Sequence, residues 1–183
     1  MRYLWYTLLI IPFSCGIPNP NINTQGEDVI ESHLAFTDET EQEYQDTVYI
    51  PIYSDIYSES RLKSTLLTAT LSIRSTNLTD TTFINNIDYY NTKGDLVKSF
   101  IDRTLVLAPM QSIDYVIDRD DNTGGVGANF LVSWGAGKNT KPLFQAVMIG
   151  RSGQHGLAFI TNGISIRSDA KQPADLIIPP SSE

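Results

Sequence analysis

The stretch "DRDDNTGGVGANFLVSW", Asp118 to Trp134, gathers residue types that hold metal ions and phosphates. Asp118, Asp120 and Asn122 fall at the first, third and fifth places of an EF-hand-like calcium loop. The sixth place, which needs glycine for its sharp turn, is Thr123, and the twelfth, which needs a bidentate glutamate, is Asn129. The spacing leaves a weak cation site at most, with a solvated acidic turn as the alternative. A Walker-type phosphate loop fails as well: around Gly137 and Lys138, Val132 replaces the first glycine and Asn139 the hydroxyl residue. A dinucleotide loop needs a third glycine where Phe130 stands, and a helix where a strand pattern follows. What remains is a chain turn at Gly124, Gly125 and Gly127, ahead of a core strand carrying Phe130, Val132 and Trp134.

Nucleophilic chemistry has one candidate. "GRSGQHG" places Ser152 three residues before His155, but the nucleophile elbow G-x-S-x-G breaks at Gln154 and no orienting acid lies at a readable distance. His33 is the other histidine and Cys15 the one cysteine, so a zinc set cannot be assembled. No catalytic residue, metal site or cofactor is assigned. Tyrosines offer binding rather than chemistry: Tyr49, Tyr53 and Tyr57, with Tyr89 and Tyr90 further on. Each has a large apolar face and a polar tip. Spacings of two or four along a strand put such rings on one face, a platform for a protein or a glycan. Ordinary core and rim packing is the alternative.

The elements that must carry these residues are strands. "TLLTATLSIRST" alternates, with Leu67, Ala69, Leu71 and Ile73 on one side and Thr68, Thr70, Ser72 and Arg74 on the other, the mark of a half-buried strand. "FINNIDYYNTKGDLVKSFID" reads as a hairpin turning at 91–94. "TLVLAPMQSIDYVID" breaks at Pro109, whose missing N–H suits no strand interior. "ANFLVSW", "LFQAVMIG" and "GLAFIT" follow, and nothing past residue 46 keeps a helical period. This predicts an all-β, antiparallel, immunoglobulin-like β-sandwich of about eight strands over residues 47–168. A small closed β-barrel is the alternative.

Net charge is −8, but its distribution is uneven. Eight acids and no lysine or arginine lie between Gly16 and Asp46; from Thr47 onward thirteen acids face twelve bases. The acidic segment repels phosphate backbones and argues against nucleic-acid binding. Its polar, aromatic-poor composition predicts an extended tether over 16–46, with an r.m.s. span of roughly 30 Å. Ahead of it, Arg2 and the apolar run Tyr3–Phe13 lead to Ser14, Cys15 and Gly16. Eleven helical residues reach about 16 Å, too short to span a membrane. The pattern is that of a signal peptide over 1–15, with Cys15 in the lipidated position of a lipoprotein. Pro12 and Phe13 depart from the usual lipobox, so cleavage after Gly16 and release into the periplasm or medium is the alternative. Residues 169–183 read as a loose tail.

Five stretches, "VYIPIYSDIY" (48–57), "LTATLSIRST" (67–76), "IDYYNTKGDLVKSFID" (87–102), "DNTGGVGANFLVSW" (121–134) and "AVMIGRSGQHGLAFITNG" (146–163), together resemble a bacterial envelope family, domain of unknown function 3124. The recurring features of that family fall on Tyr49, Tyr53, Asp121, Gly124, Gly125, Gly127, Asn129, Trp134 and Gly156. Asp118 and Asp120 lie outside the pattern. The resemblance implies a single small domain, often behind a signal or lipoprotein leader, with no activity attached. A non-catalytic binding or structural role at the envelope is the leading expectation, with the membrane reached through the N-terminal lipid and an envelope protein or glycan as partner. The alternative is a hydrolase or calcium-dependent enzyme using the 114–129 loop with Ser152 and His155.

Overall fold

The computed structural model describes residues 35–37, 42–137 and 140–168; the leader with Cys15, His33, most of the expected tether and the tail 169–183 lie outside them. Twelve strands form in the described residues: β1 (Ala35–Thr37), β2 (Tyr44–Pro51), β3 (Asp55–Ser60), β4 (Lys63–Arg74), β5 (Thr82–Tyr90), β6 (Leu96–Ser99), β7 (Thr104–Leu107), β8 (Ser112–Ile117), β9 (Asn129–Ala136), β10 (Leu143–Ser152), β11 (His155–Asn162) and β12 (Ile164–Ser168). They make two antiparallel sheets, not a closed barrel. The larger runs β1-β7-β5-β9-β2-β12, with β6 also on β5; the smaller runs β11-β10-β4-β3, with β8 also on β4.

The excess over about eight expected strands has a simple geometry. The two long strands β4 and β5 each face two short partners on one edge, β3 and β8 for β4, β6 and β7 for β5. Pro109 lies where the chain leaves β7 in one sheet for β8 in the other, so the break in the pattern marks a crossover between layers. The hairpin at 91–94 forms as its residues require. Asn91 accepts from the backbone N–H of Lys93 and Asp95, and Gly94 takes φ +85°, a conformation glycine adopts without a Cβ clash.

Alternation places the core. Leu67, Ala69, Leu71 and Ile73 of β4 are fully buried. Across from them lie Ile84, Ile87 and Tyr89 of β5, and Phe130, Val132 and Trp134 of β9. Rings are stacked through this layer: Tyr89 meets Phe130 at 5.5 Å, and Trp134 meets Phe144 of β10 at 6.1 Å. Such pairs add about 0.5–1.5 kcal/mol beyond the area they bury.

The domain begins earlier than composition suggests. Ala35–Thr37 pairs with β7, and Tyr44, Gln45 and Asp46 pair with Ala136, Gly135 and Trp134 of β9. These parts of the expected tether therefore belong to the sheet. Trp134 is 5% exposed, and Trp134→Ala should cost about 3–5 kcal/mol in denaturant unfolding. An unmoved midpoint would show that β9 is not core.

Candidate functional site

The glycine-rich loop is clamped from both sides. The Ser54 hydroxyl, just past β2, accepts from the Gly125 N–H at 2.7 Å, and the Ser54 N–H donates to the Gly125 carbonyl at 3.1 Å. On the other flank, the Thr92 hydroxyl donates to the Gly124 carbonyl at 2.7 Å and accepts from the Gly127 N–H at 2.9 Å. The Gly125 and Gly127 amides are thus spent on the protein itself. Gly125 takes φ +74°, and at Gly124 a Cβ would lie 1.9 Å from the Tyr89 hydroxyl. This loop is a lid on the core, closed over Tyr89.

Tyr89 is fully buried beneath it, and its hydroxyl has no hydrogen-bond partner. Burial, and next the Asp121 carboxylate, raise its pKa above the ordinary tyrosine value; the nearby Thr123 and Ser54 hydroxyls and the Gly124 backbone offset part of this. Asp121 itself accepts from the backbone N–H and hydroxyl of Thr123, at 3.0 and 2.5 Å. Asp118, Asp120 and Asn122 are exposed. Among the described residues no three acidic, histidine or cysteine side chains gather as a metal site. Asn129 begins β9, half-buried on its outer face opposite Pro51 and Tyr90.

The enzyme grouping does not assemble. Ser152 and His155 face each other across the exposed β10–β11 hairpin. Asp114 lies on β8, separated from β11 by β4 and β10, three interstrand spacings or roughly 14 Å. Beyond β8 the loop turns toward Ser54 and Thr92. Among the described residues no hydrogen bond joins His155 to an acid of the 114–129 loop. The tyrosines are dispersed as well. Tyr89 points into the core, a correction forced by period two, since its neighbour Tyr90 points out. Tyr49 and Tyr90 share the outer face of the larger sheet, diagonal across β9, with Leu131 beside Tyr49. β2 ends at Pro51, so Tyr53 leaves that face and meets Phe159 of β11 edge-on at 5.9 Å. Tyr57 is exposed on β3 of the other sheet.

A site unmarked in the sequence lies where β2 and β12 approach β10. A groove of about 400 Å³ opens there between the layers, with Tyr44, Asp46, Val48, Trp134, Phe144 and Lys141 among its walls. Asp46 holds an inward position in β2, in phase with Tyr44, Val48 and Ile50, and is 7% exposed. Its Oδ1 accepts from the Thr47 N–H at 2.7 Å and the Ser165 hydroxyl at 2.9 Å, while Oδ2 has only the Tyr44 hydroxyl at 3.4 Å. In the same wall the Trp134 Nε1–H is buried without an acceptor. An unpaired buried donor costs about 1–3 kcal/mol. The signal that marks this site is period two itself. Extended back from Ile50 and Val48, it puts a carboxylate on the core face, which the acidity of the surrounding segment conceals.

The family model described as "Protein of unknown function (DUF3124)" matches residues 45–166. The chain belongs to that family, and the matched span contains the clamped loop and all of the groove except Tyr44. No curated protein matches the chain. A solved structure titled "Crystal Structure of Thermotoga maritima 1070" covers 65% of this chain and 92% of its own, with 13% identity and a TM-score of 0.38, a likeness too slight to carry an argument.

The lid makes two linked predictions. Gly124→Ala should destabilise by about 1–3 kcal/mol through overpacking; Tyr89→Phe should be near neutral, since it removes a partnerless hydroxyl. The double variant should recover part of the loss, and strict additivity in denaturant melts would refute the contact. Because the Tyr89 pKa is raised on folding, its effect on stability is nil below the unfolded value of about 10 and grows unfavourable as pH rises from there toward the folded value. Wild type should therefore lose more stability than Tyr89→Phe between about pH 9 and 11.

Proposed function

We propose that this chain is a non-catalytic binding protein of the cell envelope, anchored by a lipid on Cys15, and that it binds through the groove beside Asp46. The observation that carries the binding reading is that groove: a cleft between sheets with apolar walls on which a few polar groups converge, among them a carboxylate with one under-used oxygen. Largely apolar concavities with a few convergent polar groups are the usual form of a ligand site. The anchor reading is supported by the leader, with its short apolar run ending at Ser14-Cys15-Gly16. Two or more acyl chains would hold the protein stably, at about 0.8 kcal/mol per buried methylene. The partner is an envelope component, either protein or glycan.

Cys15→Ser should move the protein from the membrane to the soluble fraction and leave its N-terminal peptide without acyl mass. Membrane retention with an unmodified peptide would contradict the anchor. A photo-crosslinking residue at Leu143, on the groove, should give an adduct in intact cells. The same residue at Leu96, opposite Tyr90 on the larger sheet's outer face, should not. The reverse result would move the binding surface to the outer tyrosines.

A further inference from the structure

The groove also carries information about what fits it, and this step rests on its being the binding site. Its charges are one carboxylate, Asp46, set deep, and one ammonium, Lys141, on an exposed residue of the wall. Formal charge around the groove therefore sums to zero. A phosphate or carboxylate ligand would meet the buried Asp46, and an amine would meet Lys141. A neutral ligand meets neither cost, and removing a charge from water without a partner is expensive.

The polar groups are of both senses. Asp46 Oδ2 is an acceptor with a single long contact, whereas the Trp134 Nε1–H is shielded from the groove. Asn162 also lines the groove; its amide oxygen accepts from Gln145 at 2.9 Å, which turns its NH₂ donors to other partners. Hydroxyl groups, each donor and acceptor at once, satisfy such a set. Beside the hydroxyls of Thr140 and Ser165, the remaining surface is mostly apolar: Val48, Pro142, Leu143 and the rings of Tyr44 and Phe144. A ligand with an apolar C–H face and a hydroxyl-bearing edge matches both walls.

We infer that the groove bounded by Asp46, Trp134, Lys141 and Asn162 binds a neutral sugar residue. Asp46 Oδ2 accepts from a ring hydroxyl, a second hydroxyl oxygen meets the Asn162 NH₂, and the C–H face lies on the apolar wall.

Saturation-transfer NMR on the full-length protein in polyoxyethylene-ether micelles tests this. The probes are methyl glucoside, galactose and N-acetylglucosamine, with tetramethylammonium and methyl phosphate as the competing chemistries. Transfer to the ring C–H protons of at least one sugar is expected, weakened about tenfold by Asp46→Asn, the loss of one charge-assisted hydrogen bond. If Asp46→Asn loses its cooperative melt, Asn162→Ala, at an exposed position, replaces it and should weaken the same sugar several-fold. Sugar binding unchanged in the folded variant would overturn the assignment. Binding of tetramethylammonium or methyl phosphate without any sugar would overturn the ligand class and leave the groove standing. Silence from all five probes would also overturn the class, while the Leu143 crosslink decides separately whether the groove is occupied.

Discussion

One residue joins the two sheets at their shared edge. β11 belongs to the smaller sheet and β12 to the larger, and Gly163 alone lies between them. Its N–H donates to the Phe144 carbonyl at 2.9 Å, and a Cβ there would lie 2.5 Å from Val48 and 2.9 Å from Phe144. The chain crosses from layer to layer through a gap that has no room for a side chain. Because it does, β12 reaches β2 and delivers Ser165 to Asp46. Asn162 and Ser165, on either side of the crossing, become walls of the groove. A close-packed crossing thus borders the groove.

The opposite arrangement governs the other conspicuous feature. The glycine loop spends the Gly125 and Gly127 amides on Ser54 and Thr92, and the missing side chain of Gly124 on Tyr89. Close approach, not phosphate or calcium recognition, accounts for Gly124; Gly125 is where the turn needs positive φ. The two sites separate what a glycine-rich motif and a buried acid mean here: the first closes the core, the second interrupts it.

Much of the fold was legible because period two is a strong signal where one face is buried. The inward sets of β4 and β9, the 91–94 hairpin and the break at Pro109 follow from residue types alone. Among the short strands β1 was not legible: its three residues lie in an acidic segment and carry too little pattern, and their pairing depends on β7 far along the chain. The candidate site was concealed by its neighbours. Asp46 ends a run of acids, and only its pairing with Trp134 separates it from that run. The tyrosine platform failed for a local reason, since Pro51 ends β2 between Tyr49 and Tyr53 and adjacent Tyr89 and Tyr90 must face opposite ways.

Ligand binding centres on the wall around Asp46, where the Trp134 ring lines the groove. The direct measurement is the Nε1–H resonance of Trp134 in the full-length protein, separated from that of Trp5 by Trp5→Phe, as a neutral sugar is added. A resonance that shifts progressively to saturation, and does so far more weakly in Asp46→Asn, is the predicted result. A resonance that stays fixed throughout the titration would contradict it.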